Sequence, residues 1–192
     1  MGLDFVNTLM YGLHMVDRLS KTPWLQHGLD TLASTGFEAL KAEPMAKALN
    51  VSRGSFYWHF KDIRDFQQAI LEFWRERATL QVIQATDESH LAQSQLMTLV
   101  HRSFDADNNL EAAIRAWAAL NKEAAKAAQY VDVERISYLE RLLVSEGVSP
   151  MKAKPRATFI YWAYLGQSLK IGENSDGMSG TDLEQIVELF IP

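Results

Sequence analysis

Along most of this chain apolar residues recur at intervals of three and four, the period that gives a helix one buried face. Strand-like alternation never survives for more than a few residues, so the predicted fold class is all-α. Thr22-Pro23 predicts the start of a first helix, with Thr as N-cap and Pro in the first turn, where its missing N–H costs nothing. Leu25, Leu29, Leu32 and Ala33 follow on one face, and Gly36 stands where a left-handed C-terminal cap is wanted. Glu43-Pro44 opens a second, short helix with Met45, Ala46 and Leu49 inward, and Asn50 closes it because Asn tolerates positive φ. Ser52 reads as the N-cap of a third helix, with Phe56 and Phe60 one turn apart on its buried side. A long amphipathic segment over 63–84 carries Phe66, Ile70, Phe73, Trp74, Leu80 and Ile83. Further helices are predicted over 88–104, 110–119, 121–146, 149–171 and 181–190. Gly147, Pro150 and the polar stretch from Gly172 to Gly180 punctuate them. Pro155 should kink the helix over 149–171 or mark its true start.

Three short helices joined by tight turns, with a helix-turn-helix over 43–60, form the geometry that lays a recognition helix in the major groove of DNA. The turn needs a residue at ease in the left-handed region (Asn50) and an apolar plug (Val51). The second helix needs a small residue against the third (Ala46), and the third needs inward anchors (Phe56, Phe60). Outward it offers Arg53, Ser55, Tyr57 and His59, while Trp58 is expected to pack against its neighbours. The domain organisation expected is an N-terminal extension over 1–17, a DNA-binding domain over 18–62 and a helical ligand-binding and dimerisation domain over 63–192. The extension reads either as an extra helix packed on the body or as an over-called gene start.

Composition narrows the function classes. The chain has no cysteine, which removes disulfides, thiolate catalysis and cysteine metal sites. His14, His27, His59, His90 and His101 show no metal-binding spacing, so neither a metal nor a cofactor is expected. No nucleophile–base pair or phosphate loop stands out, which argues against an enzyme. No apolar run reaches the roughly 18 residues that span a bilayer. Asp4 and Asp17 and the lack of a basic start argue against a signal peptide, so a cytoplasmic protein is expected. The net charge of −5 is acidic. Residues 18–75, however, hold eight Lys and Arg against six Asp and Glu, so the head is mildly basic on an acidic body.

Gly36-Phe37, followed by the unbroken run Met45-Ala46-Lys47-Ala48-Leu49-Asn50-Val51-Ser52-Arg53-Gly54-Ser55-Phe56-Tyr57-Trp58-His59-Phe60, resembles the signature of the tetracycline-repressor (TetR) family. In that family the helix-turn-helix reads approximately IAxxxGVSxGTLYxHF after a first helix ending in Gly-Phe or Gly-Tyr. The resemblance covers about residues 22–74. It implies a transcriptional regulator with a three-helix DNA-binding head and a ligand-binding, dimerising body. By position it implies DNA contact by Arg53, Gly54, Ser55, Tyr57, His59 and Lys61. Two positions depart from the pattern: Ile63 stands where the family usually has Lys, and Lys41-Ala42-Glu43-Pro44 where many members have Thr or Ser. The likeness continues loosely through Arg115-Ala116-Trp117, Arg135 and the helix with Trp162, Tyr164 and Gly166. It places residues 149–171 and 181–190 in a dimer interface, with Tyr161, Trp162, Leu165, Gly166 and Leu169 at helical spacing on the contact face.

Met97, Phe104, Trp117, Tyr130, Tyr138 and Trp162 are the candidates for a ligand cavity, each equally readable as plain core. The function expected is a repressor that binds a palindromic operator as a homodimer and is released by an apolar or amphipathic small-molecule effector. The alternative is a helical small-molecule-binding or interaction protein whose DNA head no longer functions.

Overall fold

The computed structural model describes residues 19–81, 83, 86, 94–106, 108–168 and 178–192. The expected extension over 1–17 lies outside them, as do Leu169, His90 and most of the polar stretch after Gly172. Among the described residues there are nine α-helices and no strand. The chain divides into two compact units, Met1–Ile70 and Leu71–Pro192.

The first unit holds α1 (Lys21–Thr35), a 3₁₀ turn (Phe37–Ala39), α2 (Ala42–Ala48), α3 (Arg53–His59) and the first half of α4 (Ile63–Arg75). Helix α1 begins two residues earlier than expected, with Ser20 rather than Thr22 in the N-cap position. Ser20 flanks it in extended conformation without a side-chain cap, and Thr22 and Pro23 lie inside the first turn. Pro is tolerated there because the first N–H groups of a helix have no internal partner. Gly36 closes α1 at φ 93° with its N–H on Leu32 O at 3.0 Å. Asn50, at φ 54°, closes α2. Val51 N–H bonds Ala46 O at 3.0 Å and Asn50 N–H bonds Lys47 O at 3.1 Å, the paired bonds of a Schellman motif. The core of this unit gathers Trp24, Leu32, Leu40, Met45, Phe56, Phe60, Phe66 and Ile70, all nearly inaccessible to solvent.

Beyond α4 the chain continues as a π-helical stretch (Glu76–Gln81), then α5 (Gln95–Asp105), α6 (Asn109–Ala118), α7 (Lys122–Ser145), α8 (Pro150–Ser168) and α9 (Gly180–Glu188). Side chains cap three of these helices: Ser94 accepts from Met97 N, Asn121 from Glu123 N and Ala124 N, and Ser179 forms a capping box with Asp182. Gly147 ends α7 at φ 89°, with Val148 N–H on Leu143 O. Leu96, Leu142, Leu143, Ala153, Ala157, Ile160, Leu183 and Val187 form the core that joins α5, α7, α8 and α9. Ala153 and Ala157 are fully buried, so small side chains line the inner face of α8. Pro155 does not mark the start of α8: the helix begins at Pro150 and continues past it.

Candidate functional site

Helix α3 is oriented by one aromatic anchor. Phe56 is completely buried, and its ring meets Trp24 edge-on at 5.4 Å, Phe66 edge-on at 5.3 Å and Phe60 at 5.2 Å. Phe60 and Phe66 lie 4.8 Å apart, which completes a cluster held by edge-to-face contacts. Around the inward Phe56, Arg53, Gly54 and Tyr57 are all exposed. Ser55 is half-buried, and Lys61, just past the helix, is exposed. Arg53 Nη2 donates to Tyr57 Oη at 3.3 Å and its guanidinium lies 5.6 Å from the ring centroid, so the two side chains share one outward surface. A methyl group added at Gly54 would meet only Ser52 Oγ, at 3.6 Å. Nothing within the described chain therefore demands glycine at that position.

Two residues of α3 differ from expectation. Trp58 is 65% exposed, because two helical positions from Phe56 carry it to the opposite side. The half-buried His59 places Nε2 2.6 Å from Leu19 O, a bond in which the ring nitrogen donates. His59 thus ties the end of α3 to the backbone two residues before α1.

The second unit contains a cavity of about 350 Å³ between the π-helical stretch and α5, α7 and α8. Leu99, Val100, Leu139 and Ile160 give it an apolar wall, while Arg77, Arg102 and Arg135 border it, and no described lining residue is acidic. Of the six expected ligand residues, Phe104 and Tyr138 line this cavity. Met97 packs against the core beside it, and Trp117 is buried elsewhere in the same unit. Tyr130 is 47% exposed with the Arg75 guanidinium 3.8 Å over its ring, and Trp162 is 64% exposed.

Behind the cavity lies a charged cluster that periodicity did not reveal. Glu111, 4% exposed, accepts from Arg115 Nε at 2.8 Å and Nη2 at 2.6 Å on one oxygen, and from Arg135 Nη1 at 2.9 Å on the other. Arg115 also pairs with Asp132, which accepts the Tyr161 hydroxyl at 2.6 Å. Burial opposes the charge on Arg115, but Asp132 and Glu111 outweigh it and leave the guanidinium more firmly protonated than usual. Burial, with lesser help from Asp132, pushes the Tyr161 hydroxyl above its ordinary range, so it stays a donor. Arg135 reaches on to Ala78 O in the π-helical stretch, with Nε at 3.3 Å and Nη2 at 3.2 Å. The sequence held one faint signal of this cluster, the four-residue spacing of Glu111 and Arg115.

On α8 and α9 and just past the end of α9, Met151, Phe159, Trp162, Ile186 and Leu189 are exposed apolar residues. Tyr161 and Leu165, expected on the same contact face as Trp162, instead turn toward the core. Among the described residues, no helix is long and apolar enough to cross a membrane.

Residues 25–70 match the profile of the bacterial regulatory proteins of the tetR family. The curated proteins yielded no match. Solved structures share the fold. GusR of Salmonella enterica superposes with a TM-score of 0.69 at 16% identity, covering 91% of this chain and 97% of that one. A TetR transcriptional regulator from Legionella pneumophila gives 0.64 at 15% identity, covering 90% and 96%. The multidrug binding protein EbrR, complexed with malachite green, gives 0.62 at 17% identity, covering 89% and 97%.

Proposed function

We propose that this chain is a DNA-binding transcriptional regulator of the TetR family, a repressor that holds a palindromic operator as a homodimer and leaves it when a small molecule enters the body. The observation that carries the reading is the division of α3, with Phe56 locked in an aromatic core and Arg53, Gly54 and Tyr57 presented outward. Arg53 and Ser55 lie in the first turn, which enters the major groove most deeply, and are assigned to base edges. Gly54 lets the helix backbone approach the DNA closely. Tyr57 and Lys61 are assigned to the phosphates. His59, bonded to Leu19 O, supports these contacts by holding α3 in place.

The dimer reading rests on α8. Met151, Pro155, Phe159, Trp162 and Gly166 recur every three or four residues along one exposed face. Among the described residues, nothing beyond the helix's own backbone lies within 4 Å of a Cβ built at Gly166, which leaves room for a second helix. A self-complementary patch of this kind suits a two-fold interface. The effector reading rests on the cavity, whose volume falls at the small end of ligand sites, about 300–1,000 Å³. EbrR, with the same fold, binds malachite green. Helix α4 runs unbroken across the division between the two units and is the covalent path by which an occupied cavity reaches the head. A gel shift with the DNA upstream of the gene, at two salt concentrations, tests the reading. A specific complex that weakens with salt is expected. Binding indistinguishable from that to random DNA would favour a helical binding protein with a non-functional head.

A further inference from the structure

In the first unit an open cleft lies between α2 and α3. It is lined by Glu43, Ala46 and Lys47 of α2, by Asn50 and Val51 of the turn, and by Arg53 at the start of α3. Its three charged members are all exposed, one carboxylate facing two cations. Glu43 and Lys47 stand four positions apart on α2 with the acid first, the order in which such a pair attracts best. Arg53 comes from the opposite wall, and its hydrogen bond goes to Tyr57 Oη, a neutral group. The Tyr57 hydroxyl, and to a lesser degree Glu43, favour the charged form of Arg53. Among the described residues the ion pairs leave Glu43 uncommitted. When a recognition helix lies in the major groove, the helix before it crosses the sugar–phosphate backbone, so this cleft would face phosphates. A carboxylate there opposes DNA binding in general, and its place beside Arg53 ties the effect to that side chain.

Resting on the assignment of Arg53 to a base edge, we propose that Glu43 is a specificity-determining residue. On DNA without the matching guanine, it keeps the Arg53 guanidinium in the cleft and off the phosphates. On the operator, guanine O6 and N7 together draw the guanidinium into the groove. Other sequences lack that pair of acceptors, and an exposed arginine then turns to the nearest phosphate. Glu43 supplies a competing anion from within the protein. Docked DNA excludes water from the cleft, and the lower dielectric strengthens that competition. The carboxylate thus removes one phosphate contact from non-operator complexes and takes little from the operator complex.

Binding titrations of the full chain at several salt concentrations test this with two probes. One is a duplex that the wild-type chain selects from a randomised library, the other a scrambled duplex of the same base composition. Glu43→Gln should raise affinity for the scrambled duplex about fivefold and steepen its salt dependence by about one unit of slope. Affinity for the selected duplex should change by less than about twofold, so discrimination falls about fivefold. The double variant Glu43→Gln, Arg53→Ala should bind the scrambled duplex as Arg53→Ala alone does. Glu43→Ala should repeat the gain, and a gain in binding cannot come from a misfolded head. An equal rise on both duplexes would overturn the proposal, since that is plain repulsion of DNA. So would the absence of a rise in variants whose urea unfolding matches wild type, or a rise that persists without Arg53. If the wild-type chain selects no sequence, the operator reading fails by itself. The scrambled duplex, with and without Arg53, then still decides whether Glu43 restrains that arginine.

Discussion

Asn50 holds a backbone conformation that costs most L-residues about 1–2 kcal/mol, because the left-handed region brings Cβ close to the following carbonyl. Asn50→Ala should therefore lower the stability of the chain by about 1 kcal/mol in urea unfolding, and Asn50→Gly should change it by only a few tenths. Equal losses for both would mean that the Asn side chain, not the backbone, holds the turn. Around it, single residues are proposed to divide the work of DNA binding. Arg53→Ala should relax base preference at one position in each half-site, because a bidentate contact with guanine discriminates by roughly 1–3 kcal/mol. Lys61→Ala should weaken all sequences alike and flatten the salt dependence by about one unit of slope. His59→Ala should cost about 1 kcal/mol of stability, the usual worth of one hydrogen bond, and leave the salt slope unchanged. Binding titrations on an operator and its point variants at several salt concentrations distinguish these outcomes. If His59→Ala flattens the slope as Lys61→Ala does, the ring is a phosphate contact. Asn50 was legible from residue type alone. The tether of His59 was not, because its partner lies forty residues away on a backbone carbonyl.

At the scale of elements, the helix period placed Phe56, Phe60, Met45 and Ala46 in the core and closed α1, α2 and α7 at Gly36, Asn50 and Gly147. What it could not resolve is direction within a face. Tyr161 and Trp162 are neighbours in sequence, yet Tyr161 turns inward to Asp132 and Trp162 outward to solvent, since one helical step rotates a side chain by about 100°. The aromatics offered as ligand candidates scattered for the same reason. The charged cluster was hidden because its members come from three helices, Glu111 and Arg115 from α6, Asp132 and Arg135 from α7 and Tyr161 from α8. Removing Glu111 would leave two largely buried guanidiniums without their shared carboxylate. Glu111→Ala should destabilise the second unit by about 3–5 kcal/mol, measured by thermal or urea unfolding. A loss below about 1 kcal/mol would show that water reaches the arginines and replaces the carboxylate. On the outer face, Trp162→Glu places charge in the proposed α8 interface, where a C2 axis brings it against its own copy. The wild-type chain should run as a dimer by light scattering at micromolar concentration and the variant as a folded monomer; a dimeric variant would locate the interface elsewhere.

For the molecule as a whole, the acidic total charge conceals a head with more cations than anions, so DNA binding here depends on where charge lies rather than on its sum. A mildly basic head carries little non-specific affinity, so in the proposed dimer selectivity depends on two recognition helices acting together. If the chain binds as a symmetric dimer, the copies of α3 must enter successive major grooves on one face of the duplex, roughly 34–36 Å apart. That distance is a property of the dimer and not of either helix. Inserting about five base pairs between the half-sites turns one of them to the far side of the duplex. Binding should fall to the level of an isolated half-site. Deleting one half-site should then cost as much as the insertion, and a monomeric α8 variant should not distinguish the two operators. If the insertion is tolerated, the heads are not held at a fixed separation. An effector could then not act by changing that separation, and release would have to come from loss of the head's own fold, visible as lost helical signal when ligand binds.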